Sequence, residues 1–271
     1  RVQMAELCPL FSGSTGNSYY IGSKSSGILV DIGRSCKQVT TVMQRCGIDP
    51  LSVQGILITH EHSDHIKGVG VLARKLRVPI YATEGTWAGM EAKLGKISLN
   101  QQAIIQTESP FYIGDLDITA FPTPHDALEP CGFAFSNGCA RFAIATDIGY
   151  AREGWMKYIL GADAVLLEAN YDPDMLTAGS YPFELKKRIL SRKGHLSNDD
   201  AGAVAAKLVQ SGAKQIILGH LSKENNFPEL ALRTVELILR QNGIDPESDL
   251  DLRVALRDET TGLFALSSEM R

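Results

Sequence analysis

The sequence contains few cysteines, and their arrangement indicates neither a disulfide framework nor a cysteine-ligated zinc site. The chain of 271 residues has five cysteines, an odd number. None of them forms the closely spaced pairs that hold structural zinc or mark a small secreted disulfide scaffold. We therefore expect reduced thiols, buried or partly buried, in a protein of the cytosol.

Long hydrophobic runs and a strong net charge are also missing. No apolar run approaches the roughly 20 residues that cross a bilayer, and the first residues carry no apolar core of a signal peptide. The formal net charge of −4 gives no overall attraction to nucleic acid or to anionic membranes. We therefore predict a cytoplasmic protein with no membrane partner. The sequence does not indicate an oligomeric state.

The sequence does contain enough apolar residues for a packed core. Hydrophobic residues make up 44% of the chain and charged residues 21%, which argues against disorder. Short apolar runs typical of strands alternate with helical patterns. The helical patterns cover Cys36–Cys46, Asp64–Leu76, Thr86–Leu94, Ala151–Leu160, Pro182–Ser191, Asn198–Gln210 and Pro228–Asn242. Trp87 and Trp155 lie in these patterns, and we expect them to pack in the core.

The connections between the apolar runs predict the fold class. "SNGCAR" places Asn-Gly between two such runs, which is a strong hairpin signal. Other runs are separated by helical patterns, which is typical of crossover connections. We therefore predict an α+β protein with two mixed β-sheets flanked by helices, in a single domain over residues 1–271.

Metal-ligating side chains are concentrated in the segment "GILITHEHSDHIKG", an apolar run followed by a polar turn and a helix start. His60, His62, Asp64 and His65 fall within six positions of it. Imidazole suits zinc, iron or manganese, and carboxylate suits the harder ions. Packing alone rarely produces such a cluster, so we interpret it as part of a metal site.

Three further residues follow apolar runs elsewhere in the chain. His125 lies in "FPTPHDALEP", Asp147 in "AIATDIG" and His220 in "IILGHLS". Alone, each would pass for an ordinary core or surface residue. With the histidine cluster they predict two sites of three to four ligands that share a carboxylate, the arrangement of a two-metal hydrolase. Asp31 in "LVDIG" is the candidate acceptor for the second N–H of a ligating imidazole.

"THEHSDH", followed in order by His125, Asp147 and His220, resembles the metallo-β-lactamase superfamily over nearly the whole chain. The resemblance implies an αββα four-layer sandwich with the site at one edge. It also implies His60, His62 and His125 on one divalent ion, Asp64, His65 and His220 on the other, and Asp147 as the bridge. Zinc or manganese fits this ligand set, and iron is also compatible.

Five stretches together resemble one branch, called YycJ, WalJ or VicX, which is similar to 5′→3′ exonucleases. They are "FSGSTGNSYYI", "LVDIG", "THEHSDHIKG", "LLEANYD" and "SRKGHLSN". Other branches fit less well. No cysteine occupies a metal-motif position, and His62 stands where the di-iron oxygen reductases carry Glu. The segment between Asp147 and His220 is too short for the inserted domain of the CPSF-type nucleases.

The sixth histidine, His195, precedes a helical pattern for which Ser197 is the candidate N-cap. A helix N-terminus offers free N–H groups and a positive dipole end to an anion. An imidazole there can contact a phosphate oxygen or protonate a leaving oxygen. The phosphodiesterase branches of the superfamily resemble this arrangement. The alternative is a histidine that only hydrogen-bonds its loop.

A basic run precedes His195. Between Glu184 and His195, "ELKKRILSRKGH" holds five Lys or Arg residues and one acidic residue. It is either a solvated helix face or a contact for phosphate groups, and Lys193 is the member nearest His195. The other candidate substrate contacts are Asn17 in a Gly/Ser loop, Glu168, Asn170 and Ser197. Tyr171 is a weaker candidate for stacking on a base.

We therefore predict a dinuclear metal-dependent phosphodiesterase with Asp64 and His195 as its catalytic residues. By resemblance, the expected activity is a 5′→3′ exonuclease on DNA, with RNA less favoured, through attack of a metal-bridging hydroxide on phosphorus. The alternatives are a hydrolase of small or cyclic phosphodiesters, a lactone or thioester hydrolase, and a non-catalytic binding module.

Overall fold

The computed structural model describes residues 5–266, which form two seven-stranded β-sheets with helices on their outer faces. The strands are β1 (Ala5–Phe11), β2 (Ser18–Gly22), β3 (Gly27–Val30), β4 (Val53–Leu57), β5 (Ile80–Ala82), β6 (Gln102–Ile104), β7 (Pro110–Ile113), β8 (Leu116–Pro122), β9 (Cys131–Ser136), β10 (Arg141–Ala145), β11 (Ala164–Glu168), β12 (Gln215–Gly219), β13 (Asp251–Val254) and β14 (Phe264–Leu266). The α-helices are α1 (Cys36–Arg45), α2 (Ser63–Ile66), α3 (Val69–Leu76), α4 (Glu84–Leu94), α5 (Glu153–Met156), α6 (Pro173–Ala178), α7 (Phe183–Ile189), α8 (Asn198–Gln210) and α9 (Pro228–Gln241).

Each sheet has a parallel half and an antiparallel half. The first sheet has the order β14-β1-β2-β3-β4-β5-β6, and β3 to β6 are parallel. The second has the order β13-β12-β11-β10-β9-β8-β7, and β10 to β13 are parallel. Parallel strands need crossover helices, which cover the outer faces, so β11 and β12 are buried along their whole length.

Three buried clusters define the layers. The middle cluster joins apolar side chains of both sheets, such as Ile28 and Leu57 of the first and Phe133 and Leu166 of the second. The two outer clusters pack α1, α3 and α4 on the first sheet and α5, α8 and α9 on the second. The αββα four-layer sandwich predicted from the sequence is therefore confirmed.

Most predicted elements are present, with differences that have physical causes. The helix predicted over Asp64–Leu76 is two helices, because the Gly68 N–H donates to the Ile32 carbonyl at 2.8 Å. A side chain at Gly68 would overlap the Arg34 carbonyl, so this close approach needs glycine. The pattern over Ala151–Leu160 forms only the short α5.

Four elements had no sequence signal strong enough to be predicted: β1, β6, β7 and α6. In β1 the signal is weakened by Pro9, which cannot donate to a strand ladder and lies where the pairing with β2 shifts register. The predicted β9–β10 hairpin is present, with Arg141 opposite Ser136. Trp87 and Trp155 are buried as expected, and the cysteines are buried or half-buried.

No helix within residues 5–266 is both long and apolar enough to cross a membrane.

Candidate metal centre and active-site cavity

The carboxyl ends of the parallel strands from both sheets meet at one edge of the sandwich, where the polar loops converge. Asp31 follows β3, Asp147 follows β10 and His220 follows β12. All three have left-handed backbone conformations, with φ of 58°, 57° and 57°. Such conformations are strained for residues other than glycine, and strain of this kind concentrates at functional sites. Ligands commonly bind at this edge of parallel sheets.

The motif loop, residues 59–65, turns sharply after β4 and starts α2. His62 is the N-cap residue of α2, with extended φ and ψ of −69° and 148°. His62 Nδ1 lies 3.0 Å from His60 Nε2. The rings of His60 and His65 are 4.2 Å apart between centroids. The loop therefore brings three imidazoles together within one turn of chain.

Asp31 lies fully buried behind this loop and orients it. Its carboxylate accepts from His65 Nδ1 at 2.7 Å and from the Thr59 hydroxyl at 2.7 Å. Thr59 Oγ1 also lies 3.0 Å from His60 Nδ1. Because the Thr59 proton goes to Asp31, this oxygen accepts the His60 proton. The Nε2 atoms of His60 and His65 are thereby left as electron-pair donors toward the site, as metal ligation requires.

The second sheet supplies ligands from separate strand ends, each held from behind. His125 Nδ1 lies 3.0 Å from the Gly194 carbonyl, to which it donates. His220 Nδ1 lies 2.7 Å from the Glu168 carboxylate at the end of β11. As in the motif loop, the anchored Nδ1 leaves Nε2 of each ring directed toward the site.

The predicted ligand side chains do meet, in overlapping groups whose ligand atoms lie within 4.8 Å of one another. The groups are His60, His62 and His125; Asp64, His65 and His220; His60, His65 and Asp147; and Asp147, Glu168, His195 and His220. The side chains of each predicted triad lie together, and the Asp147 carboxylate oxygens lie 3.3 Å from His65 Nε2 and 3.6 Å from both His125 Nε2 and His220 Nε2.

The donor set fits divalent cations. His125 Nε2, His220 Nε2 and Asp147 Oδ2 are buried and have no hydrogen-bond partner among residues 5–266. Buried polar atoms without partners are costly and need a compensating ligand. Imidazole nitrogens with carboxylate oxygens are the donors of zinc, manganese and iron sites. The cluster is thus a site for divalent metal ions.

Electrostatics point the same way. Burial opposes protonation of His220, but the carboxylates of Asp147 and Glu168 outweigh burial and raise the pKa of the imidazole to about 10. Burial likewise opposes ionisation of Asp64, yet the nearby His65 and His220 hold the pKa of its carboxyl well below the ordinary value. The site therefore favours ionised carboxylates and attracts positive charge, which a metal ion supplies.

His195 and His220 share one carboxylate. His195 Nδ1 lies 2.8 Å from the same Glu168 oxygen that accepts from His220. The other Glu168 oxygen accepts from the backbone N–H of Ile148 at 2.9 Å and of Leu196 at 3.1 Å. Burial alone would raise the pKa of Glu168, but the two histidines lower it below its ordinary value. Glu168 is therefore an ionised anchor for both rings.

His195 is more exposed than His220, the predicted ligand with which it shares Glu168. Its side chain is 20% exposed, whereas that of His220 is 3% exposed. Its ring centroid is 5.2 Å from that of His125 and 5.3 Å from that of His220. With Nδ1 bonded to Glu168, Nε2 is the nitrogen available to the cavity. The side chain is not merely hydrogen-bonded to its own loop.

Several predicted substrate contacts lie elsewhere than expected. Glu168 is fully buried behind the histidines. Asn17 is also fully buried, with Nδ2 3.1 Å from His65 Nε2 and 3.4 Å from Asp64 Oδ2. Ser197 is the N-cap of α8, where its hydroxyl accepts from the Asp200 N–H at 3.0 Å. These side chains support the loops of the site instead of facing the cavity.

The remaining candidates divide between the cavity and the surface. Asn170 lines the cavity and donates to the His220 carbonyl at 2.8 Å. Lys193 is exposed outside the cavity lining. Tyr171 is buried in a small cluster with Leu176 and Ile189, so it is not placed to stack on a base. Burial raises the pKa of its phenol to about 12.

A cavity of about 220 Å³ lies directly over the clustered ligands. Its floor contains His62, Asp64 and His125, and α7 covers one side through Leu185 and Arg188. Sequence analysis missed Asp126, which also lines the cavity and forms an ion pair with Arg188. Its position next to His125 was the available signal.

The sequence and the fold both match known proteins. Residues 28–221 match the profile of the "Beta-lactamase superfamily domain" family. The metallo-β-lactamase fold protein YhfI from Bacillus subtilis superposes with a TM-score of 0.73 at 15% identity, over 97% of this chain and 99% of that one. The chain belongs to the metallo-β-lactamase superfamily, as the motif predicted.

Two relatives identify the branch. The exodeoxyribonuclease YycJ of Bacillus anthracis is 43% identical over 234 residues, which are 86% of this chain and 89% of the relative. The exodeoxyribonuclease WalJ of Streptococcus pneumoniae serotype 2 is 41% identical over 256 residues, 94% of this chain and 95% of the relative. The predicted YycJ/WalJ-like branch is therefore confirmed.

Proposed function

We propose that the chain is a metal-dependent phosphodiesterase that degrades DNA from its 5′ end. The two relatives that cover most of the chain are named exodeoxyribonucleases. The preference for DNA over RNA rests on those names, and the 5′→3′ direction rests on the resemblance of the sequence motifs. The core shared by both sheets supports a single catalytic domain.

The observation that carries the proposal is the position of His195. It lies beside the ligand cluster, is anchored by Glu168 at 2.8 Å, and lines the cavity without belonging to either predicted ligand triad. In phosphodiester hydrolysis, an imidazole at this position can contact a phosphoryl oxygen or protonate the departing sugar oxygen.

Two divalent ions, zinc or manganese with iron also compatible, account for the ligand set. We assign His60, His62 and His125 to one ion, Asp64, His65 and His220 to the other, and Asp147 to both. When bound, such ions lower the pKa of a coordinated water and neutralise charge on phosphoryl oxygens.

The chain's own residues supply positioning and proton transfer. Asp31 and Glu168 hold the imidazoles in the tautomers that ligation requires. Asn17 donates to the Asp64 carboxylate at 3.4 Å and helps to position that side chain at the site. His195 presents Nε2 to the cavity, where it contacts the scissile phosphate or gives a proton to the leaving oxygen.

One observation favours a second candidate, the hydrolysis of small or cyclic phosphodiesters. The cavity of about 220 Å³ is smaller than the roughly 300–1,000 Å³ of typical ligand sites, and α7 covers part of it. A cavity of this size suits the end of a DNA strand or a small diester better than the middle of a duplex. An exonuclease acts on the end of a DNA strand, so the small cavity is also compatible with the exonuclease proposal.

The test is a gel assay on DNA that carries a 5′-phosphate and a different label at each end. It is run with Mn²⁺ or Zn²⁺, with chelator, and with Asp64→Ala as a control. We expect stepwise loss of nucleotides from the 5′ end that chelator and the substitution abolish. Absence of cleavage of DNA and RNA with every metal, alongside hydrolysis of a cyclic nucleotide, would favour the second candidate.

A further inference from the structure

One cationic side chain stands inside the cavity. Among the described residues that line the cavity, Arg188 is the only Lys or Arg. Its charged neighbours in the lining are the carboxylates of Asp64, Asp126 and Asp147. The other basic residues of the run before His195 lie outside the lining, so sequence alone does not distinguish Arg188 from them.

Arg188 is held in place but keeps hydrogen-bonding capacity. Its Nε bonds to Oδ2 of Asp126, and its two Nη groups have no hydrogen-bond partner among residues 5–266. The side chain is 54% exposed. Asp126 thus orients the guanidinium while the Nη atoms stay available to an anion. A guanidinium presented in this way matches the paired oxygens of a phosphate.

Backbone hydrogen bonds connect Arg188 and Asp126 to the loop that carries His195. Helix α7 ends at Ile189, whose carbonyl accepts from the His195 N–H at 3.2 Å. The Asp126 N–H donates to the Lys193 carbonyl at 3.1 Å. Arg188, Asp126 and His195 therefore keep fixed relative positions around the cavity. A phosphate held by Arg188 would have a defined position relative to His195.

We propose that Arg188 binds the phosphate next to the scissile one. At the 5′ end of a DNA strand, this neighbouring phosphate is the terminal 5′-phosphate. The proposal rests on the proposed exonuclease function and names its preferred substrate class, DNA with 5′-phosphorylated ends. The reason is electrostatic. A terminal phosphate carries more negative charge than a diester and enters a cavity lined by carboxylates, so it needs a fixed cation.

The experiment compares three substrates: single-stranded DNA with a 5′-phosphate, the same DNA with a 5′-hydroxyl, and bis(p-nitrophenyl) phosphate. The diester has no neighbouring phosphate and reports on the metal centre alone. The variants are Arg188→Ala and Arg188→Lys. Arg233→Ala is the matched control, since it removes an exposed arginine from α9, outside the cavity lining. Circular dichroism and metal content are measured for each protein.

We expect Arg188→Ala to lower kcat/KM on the 5′-phosphorylated DNA by roughly 10- to 100-fold, the range for a lost hydrogen bond between charged groups. The first cleavage of the 5′-hydroxyl DNA, the one step in which the strand end carries no phosphate, should change little, and activity on the diester should not change. Arg188→Lys should recover part of the loss, because it keeps the charge without the planar fork. Arg233→Ala should behave like the parent.

Two outcomes would overturn the assignment. An equal fall on all three substrates would show that Arg188 only maintains the fold or the metal centre. An unchanged preference for 5′-phosphorylated DNA in Arg188→Ala would show that another group binds that phosphate. A parent protein that hydrolyses the diester but no DNA would instead refute the exonuclease function, so the two failures are distinguishable.

Discussion

The two halves of the candidate metal site are built in opposite ways. The half beside the first sheet comes from one continuous segment, the motif loop, oriented by Asp31. The half beside the second sheet comes from residues far apart in sequence, His125, Asp147 and His220. The backbone path of the motif loop sets the geometry of the first half. The alignment of three strand ends sets the geometry of the second half.

Each half nevertheless rests on a single buried carboxylate. Asp31 orients His65 directly and His60 through Thr59. Glu168 orients His195 and His220 through one oxygen atom. The difference is that Asp31 serves only predicted ligands, whereas Glu168 serves a ligand and the candidate catalytic histidine. In the proposed mechanism, the second half therefore couples metal binding to catalysis.

The largest expected effect comes from removing a ligand of the motif loop. Asp64→Ala should lower the rate of DNA hydrolysis by about three orders of magnitude or more, because a metal ion contributes several kcal/mol to transition-state stabilisation. Metal content, measured by atomic emission, should fall in the same protein. A fully metallated variant with parental activity would remove Asp64 from the ligand set.

The next effect separates the two histidines that share Glu168. His195→Ala should lower kcat by roughly 10²- to 10⁴-fold, the range for loss of a general acid, without changing metal content. His220→Ala is the matched comparison, and it should reduce metal content as well as rate. If His195→Ala also lost metal, His195 would be a ligand and the distinction between the two rings would fail.

A smaller effect is expected at the buried carboxylates. Asp31→Asn and Glu168→Gln should each cost roughly 10- to 100-fold in metal affinity or activity, as for other residues behind metal ligands. Asp31→Asn should act mainly on metal affinity, and Glu168→Gln on metal affinity and kcat together.

A double substitution tests this coupling. Once Glu168→Gln is present, adding His195→Ala should cost less than it does in the parent, because both changes disable one unit. Strict additivity of the two free-energy changes would show that Glu168 does not act through His195.

The smallest effect is expected on the exposed face of α7. Lys187→Ala removes an exposed charge outside the cavity lining. It should weaken binding of long DNA a few-fold and reduce the salt dependence of binding by about one unit of slope, as for one lost phosphate contact. Hydrolysis of bis(p-nitrophenyl) phosphate should stay at the parental rate. A salt slope equal to that of the parent would make this face a solvated helix surface.

The sequence was informative where the signal is local. Residues only a few positions apart create the patterns of the motif loop, the Asn-Gly hairpin and the long helices α8 and α9. Elements whose existence depends on a partner strand were missed, such as the edge strands β6 and β7. The break between α2 and α3 was missed for a similar reason, since the contact of Gly68 with Ile32 comes from a distant loop.

The same limit applies to the site. The spacing of His60, His62 and His65 groups them correctly, whereas the sequence predicts Glu168, Asn17 and Ser197 as substrate contacts. Their residue types suit either role. Only the hydrogen bonds show that these three side chains contact predicted ligands or cap a helix. Arg188 could not be separated from its basic neighbours, because helix orientation decides which of them enters the cavity.

The sequence by itself determined the chemistry of this protein: which donor atoms are present, which of them lie together in one turn, and hence the superfamily. The tertiary structure decided how the distant strand ends meet, which ring nitrogens point at the site, and which side chains face the cavity. The physical reason is that residue type and local spacing belong to the chain itself. Distances between the two sheets are set by packing, which involves residues throughout both of them.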